Sequence, residues 1–123
     1  MKIEVSVGEI VDKLSILDIK RVEITDTTKL INVEAEYYYL YDIVFSELNI
    51  DIVDYNTLLD INKQLWDIED SIRLKEKNKE FDNVFIHYAR LVYITNDMRA
   101  EAKKQINKKY GSLFIEEKSY ENY

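Results

Sequence analysis

The stretch Leu58-Leu59-Asp60-Ile61-Asn62-Lys63-Gln64-Leu65-Trp66-Asp67-Ile68-Glu69-Asp70-Ser71-Ile72 decides the fold. Its residues Leu58, Ile61, Leu65, Ile68 and Ile72 are spaced by alternating steps of three and four, which lines them up on one stripe of an α-helix; a strand would need every second residue apolar. The run predicts a helix over 55–77 that ends in the polar segment from Lys75 to Glu80. Proline is absent and glycine occurs twice in 123 residues. Strand-rich folds consume turn residues at nearly every reversal, so the chain is expected to be built from a few long elements.

Working outward, Ser6 stands three residues before Glu9, the spacing of a capping box. Ile10, Leu14, Leu17 and Ile24 then trace a helical stripe, predicting a first helix over 7–24. Thr25 to Thr28 is rich in capping residues. A second helix over 28–48 follows from Leu30, Val33, Tyr37, Leu40, Val44 and Leu48, and the tyrosines 37, 38, 39 and 41 suggest that it buries more than one face. Asn49 to Asp54 reads as the next connection, with Asp54 as cap. Phe81-Asp82 is a hydrophobic residue ahead of an N-cap, and a fourth helix is expected to reach Lys109, closed by a left-handed Gly111. From Val84 to Ile94 this helix is apolar on nearly every face, the pattern of a central helix, and the lone histidine, His87, is expected to pack there. The expected architecture is therefore all-α, a four-helix bundle forming one domain over residues 1–123. Lys2 to Val5 and Leu113 to Glu116 alternate, and fit a short two-stranded pairing of the chain termini.

Composition narrows the function. There is no cysteine and one histidine, so disulfides, thiol nucleophiles and multi-histidine metal clusters are unavailable. Neither a GxxxxGKS-type loop nor GxGxxG occurs, which removes the usual phosphate cradles. No leader-like or membrane-spanning apolar run is present, and a cytoplasmic location is expected. The net charge of −7 is unevenly divided: residues 1–62 carry 13 acidic and 5 basic side chains, and residues 63–123 carry 11 and 12. An anion of this kind disfavours general nucleic-acid binding.

Any chemistry must rest on carboxylates, arginines and lysines. Glu69 and Arg73 on the third helix are four apart in the favourable order for an ion pair, with Asp67 and Asp70 beside them; the plain reading is a solvated, salt-bridged face. On the fourth helix, Arg90 and Asp97 share one face, and Asn96, Arg99 and Lys103 the next. If that helix is buried, these charges need partners, with Glu69 or Asp70 as candidates. Such a network is either structural or the lining of a ligand site. Arg99, Lys103, Lys104, Lys108 and Lys109 also suit the negative end of the helix dipole.

Several strings carry a resemblance: Lys2 to Leu14, Leu65 to Arg73, Arg90 to Ala100, and Gly111-Ser112 followed by Glu116-Glu117-Lys118-Ser119-Tyr120. Together they resemble a family of short bacterial and phage proteins of unassigned function, across almost the whole chain. The resemblance implies a stand-alone unit, supplies no activity, and adds Asp12, Lys13, Glu116, Glu117 and Lys118 to the polar residues of interest.

The leading expectation is a non-enzymatic helical binding or scaffolding protein, homo-oligomeric, without a cofactor, with a polar site between helices 3 and 4 made from Glu69, Asp70, Arg73, Arg90, Asn96, Asp97, Arg99 and Lys103. The oligomer follows from more apolar helical surface than four helices hide. The rival is a small Mg²⁺-dependent helical enzyme or binder for a phosphorylated small molecule, a nucleotide or sugar phosphate, with Asp67, Glu69, Asp70 and Asp97 as metal ligands or base and Arg73, Arg90, Arg99 and Lys103 on the phosphate. Helical nucleotide pyrophosphohydrolases set a precedent for that layout, although their paired ExxE and ExxD pattern is not reproduced.

Overall fold

The computed structural model describes all 123 residues, and its regular secondary structure is all helical: α1 spans Val7–Glu23, α2 Thr27–Asp42, α3 Ile52–Lys77 and α4 Asn83–Lys109, with a π-helical turn, Ile43–Glu47, extending α2. Side chains cap each start. The Ser6 hydroxyl accepts from the Glu9 amide, Asp26 from Lys29, Asp51 from Val53 and Asp82 from Phe85. α3 thus begins three residues before the expected boundary, capped by Asp51. Asp54 lies in its first turn, where its carboxylate accepts from Lys109 Nζ at 2.7 Å and from the Tyr110 hydroxyl at 2.6 Å. Gly111 has φ +64° and terminates α4, as its position after the last helical residues implies. There is no strand: both terminal segments lie outside regular secondary structure.

α1 is the central helix, packing against α2, α3 and α4, whereas α2 rests on α1 and α3 pairs along α4. The reason is in its composition. Val11, Leu14 and Leu17 are buried and join Tyr37, Val44, Ile50, Tyr55, Leu58 and Ile106 in one cluster. The π turn places Val44 in that cluster and sets Phe45 edge-on to Tyr55, ring centres 5.2 Å apart. A cationic node closes the α1–α2 contact: the Arg21 guanidinium lies 4.0 Å from the centre of the Tyr37 ring, an attractive cation–π geometry. Tyr55 donates to Asp18 at 2.8 Å; burial and that bond push its phenol well above the ordinary tyrosine value.

The expectation that the front half of α4 is the core is overturned. The buried residues of α4 are Thr95 at its middle and Lys103, Ile106 and Asn107 in its second half, while Val84 and Ile86 are 47% and 53% exposed and His87 is exposed. Length explains it. α3 and α4 have 26 and 27 residues against 17 in α1, so at ~1.5 Å per residue they are about 39–40 Å long against about 26 Å. The C-terminal end of α1 reaches the level of Trp66, sharing a surface depression with Leu59 and Lys63. Beyond it α3 and α4 continue as a two-helix arm that can bury only their mutual seam. α2 likewise buries only Tyr37, and Tyr38, Tyr39 and Tyr41 stay exposed.

Gly8 fixes how closely α1 meets α4. A Cβ there would lie 2.6 Å from the Lys103 carbonyl oxygen and 2.9 Å from Asn107 Oδ1, and the backbone cannot yield as a side-chain tip does. Gly8→Ala should lower unfolding stability by about 2 kcal/mol in urea denaturation despite its better helix propensity, from overpacking; Gly111→Ala, with nothing within 4 Å of its Cβ, should cost about 1 kcal/mol through its positive φ alone.

Candidate functional site

The buried polar residues gather where α1 crosses α3 and α4. Asp12, on the apolar side of α1 between Val11 and Leu14, is 1% exposed. Its Oδ1 accepts from Arg99 Nε at 2.9 Å and from Asn62 Nδ2 at 2.9 Å, and Oδ2 takes the second arm of the Arg99 fork. Asn62 also donates to the Ser15 hydroxyl at 2.7 Å, which donates in turn to the Asp12 carbonyl at 2.7 Å. A two-pronged arginine–carboxylate pair of this kind is among the stronger polar contacts available to a protein. One carboxylate thereby joins three helices.

One turn further along α4, the buried Lys103 reaches Glu9 at 2.8 Å and Glu116 at 3.1 Å. Burial works against its charge, but the two carboxylates outweigh that and hold its pKa above the ordinary lysine value. The next turn brings Asn107, whose Oδ1 accepts from the Gly8 amide at 2.6 Å, and Ser112, which accepts from the Val7 amide at 3.1 Å. These satisfy otherwise orphan amides at the start of α1. The C-terminal segment after Gly111 folds back along α4: Glu116 meets Lys103, Glu117 meets Lys104 at 3.2 Å, and Tyr123 donates to Asp97 and packs edge-on to Tyr93. Hydrogen bonds from Lys118 and Lys103 hold the Glu116 carboxyl below its ordinary pKa.

The residues singled out from the sequence divide between two places. Arg99 and Lys103 are at the crossing, Asn96 borders it by accepting from Arg99 at 3.4 Å, and Asp97 lies beneath the C-terminal segment. Glu69, Asp70, Arg73 and Arg90 are on the arm. There Glu69 and Arg73 form a surface pair at 3.5 Å, and Asp70 and Arg90 are exposed without an ion-pair partner. The expected burial of Arg90 and Asp97 and their pairing with Glu69 or Asp70 are therefore corrected: both are exposed, and α4 meets carboxylates of α1 and the C-terminal segment instead. Asp67, Glu69, Asp70 and Asp97 do not converge, and no group of three or more histidine, aspartate or glutamate side chains stands close enough to share a metal ion. Lys13, on the outer side of α1, pairs with Glu36 at 3.2 Å.

Asp12, Ser15 and Asn62 were not singled out by charge patterning. For two of them the signal is positional: Asn62 is four residues after Leu58 and three before Leu65, on the stripe that should be apolar, and Ser15 is four after Val11 and four before Ile19, whereas Asp12 lies off the Ile10–Leu14–Leu17 stripe and carries no such mark. Polar residues inside an apolar stripe need internal partners.

Chemically, the crossing is saturated. Arg99 is matched by Asp12, and Lys103 by Glu9 and Glu116, and these pairs pin α1 to α4 and the C-terminal segment. Asp12→Ala should cost about 3 kcal/mol in urea denaturation, because Arg99 and Asn62 lose their partner in a largely buried place, whereas Lys13→Ala should change stability by less than about 0.5 kcal/mol. The hold on the C-terminal segment should depend on pH with a definite sign. Since Glu116 has a lowered pKa when attached, its contribution is complete above the ordinary glutamate pKa and lost as pH falls through the lowered one. Amide resonances of residues 113–123 should move toward random-coil positions in acid while those of α1 stay put.

No curated protein and no solved structure matches the chain. A family model does match, over residues 1–123, and on that full-length match the chain belongs to DUF6165, a family of unknown function.

Proposed function

We propose that this protein is a non-enzymatic helical scaffold that self-associates through the arm formed by the distal halves of α3 and α4. The observation that carries the reading is surface area. A compact monomer of 14.7 kDa is expected to expose about 6,900 Å². This chain exposes 8622 Å², an excess of about 1,700 Å² over that scaling. A standard interface buries about 800 Å² on each partner, so the surplus is ample for a dimer. The arm contributes to it through Leu74, Phe81, Val84 and Ile86, all exposed.

The occupant that fits is a second copy. Two helices expose their outer faces by necessity, and a pair of hairpins related by a two-fold axis makes a four-helix bundle. Charge distribution favours this end of the molecule. Residues 65–94 hold six acidic and five basic side chains, close to neutral, while the acidic excess belongs to the half that forms α1 and α2. Apolar arms can meet while the acidic bodies stay apart. The body, pinned at Asp12, would present each copy in a fixed orientation to whatever the scaffold carries.

The chain should run as a dimer in light scattering at tens of micromolar, and Val84→Glu with Ile86→Lys should convert it to a folded monomer, since both side chains are exposed within one chain. Dissociation should be insensitive to salt, as expected for apolar contact. A wild-type monomer at that concentration would remove the scaffold reading. The competing reading, a Mg²⁺-dependent protein acting on a phosphorylated small molecule, would be favoured by calorimetric binding of Mg²⁺ together with a nucleotide or sugar phosphate.

A further inference from the structure

The C-terminal segment makes an unusual contact with the body. Every residue from Leu113 to Tyr123 is exposed, so hydrophobic burial does not hold it. Ionic and hydroxyl contacts do, in register: Glu116 on Lys103 at 3.1 Å, Glu117 on Lys104 at 3.2 Å, and Tyr123 on Asp97. Adjacent glutamates are met by adjacent lysines of α4, and Lys103 is itself buried to 8% exposure, so its ammonium is held in a fixed direction by Glu9 from behind. Between the segment and α4 remains an open groove of about 230 Å³, lined by Asp97, Lys103, Lys104 and Asn107 and roofed by Glu116 and Glu117. The link to the body is Gly111, with φ +64° and no neighbour within 4 Å of where a Cβ would be.

We infer that this face of α4 is a docking groove for an extended acidic segment of a partner protein, and that the chain's own Glu116-Glu117 segment occupies it in cis. The partner chemistry is read from the occupant: consecutive carboxylates to meet Lys103 and Lys104, followed by a hydroxyl-bearing aromatic residue to reach Asp97 and Tyr93. Losing Glu116 does not strand Lys103, which keeps Glu9, nor Arg99, which keeps Asp12, so the body can exchange one acidic segment for another without leaving a buried charge unpaired. A tethered segment acts at an effective concentration of order millimolar, so a partner gains access chiefly when the tether is displaced. The docking face shares Tyr93 with the distal half of α4 but none of Leu74, Phe81, Val84 and Ile86, and the inference does not depend on self-association.

The test uses the full-length chain and a fluorescent peptide of the sequence Ser112 to Tyr123. In the Glu116→Lys/Glu117→Lys variant the chain's own segment should lose its register and show random-coil amide shifts. Fluorescence anisotropy should then give at least about tenfold tighter peptide binding than to wild type, as expected when a tethered competitor is removed. Adding Lys104→Glu, a change at a half-buried position that spares the buried Lys103, should reduce that binding by about fivefold or more, and raising salt from about 0.05 to 0.5 M should weaken it, in contrast to the arm contact. A segment that stays ordered in the double variant, or equal peptide binding to variant and wild type, or no binding to either, would overturn the inference. A variant that loses its dimer in light scattering while failing to bind peptide would identify the occupant as the second copy's own terminus, which also overturns it.

Discussion

Asp12 is the constraint on which the arrangement depends. It is buried where α1 meets α3 and α4, a place in which a carboxylate without partners would be strongly unfavourable, and it is accommodated because Arg99 from α4 and Asn62 from α3 both reach it. Removing such a carboxylate from water is not in itself stabilising, and a well-packed hydrocarbon could hold the helices as firmly. What the pair supplies is register. An apolar stripe tolerates sliding by a turn, whereas a two-pronged guanidinium–carboxylate contact does not, and Gly8 against the Lys103 carbonyl allows only one depth of approach. Together they fix α1 both along and across α4.

That fixed register has consequences at both ends of the molecule. With the start of α1 set at the level of Lys103 and Asn107, its end falls near Trp66, and everything beyond on α3 and α4 is left without a third helix. The arm is thus the result of placing a short helix at one end of a long hairpin. At the other end, the same placement brings Glu9 beside Lys103 and leaves one more ligand position on that ammonium, which Glu116 fills.

Much of the local structure was legible in the sequence. The step pattern from Leu58 to Ile72 gave α3, with Leu58, Ile61 and Ile68 buried as the stripe requires, and the capping residues Ser6 and Asp82 marked helix starts because their hydrogen bonds are made within three residues. The start of α3 is not decided locally because two aspartates compete: Asp54 looks like a cap, but is drawn to Lys109 and Tyr110, a contact 55 and 56 residues away that no local pattern encodes. The burial of α4 is not decided locally either. Periodicity shows which faces of a helix are apolar, but whether they are covered depends on the lengths of its neighbours. Arg99 and Lys103 were recognisable as cations needing partners. That the partners lie on α1 and the C-terminal segment, and not on α3, follows from the antiparallel register of α1 on α4.

The two surfaces left over differ in the physics that would close them, which allows their roles to be separated. The arm offers apolar area with little net charge, so its association should strengthen with the hydrophobic effect and ignore salt. The groove on α4 offers the fixed charges of Asp97, Lys103 and Lys104, so contacts made there should be exchangeable and sensitive to salt and pH, with specificity set by the spacing of Lys103 and Lys104. Under the proposed reading, a self-contact on one face and a replaceable acidic contact on another would be the division expected of a scaffold: the first would set how copies are arranged, and the second what they hold. Both faces are positioned by the same crossing at Asp12, so a change there should disturb register at the groove before it disturbs the arm, whose two helices pair with each other along their own seam.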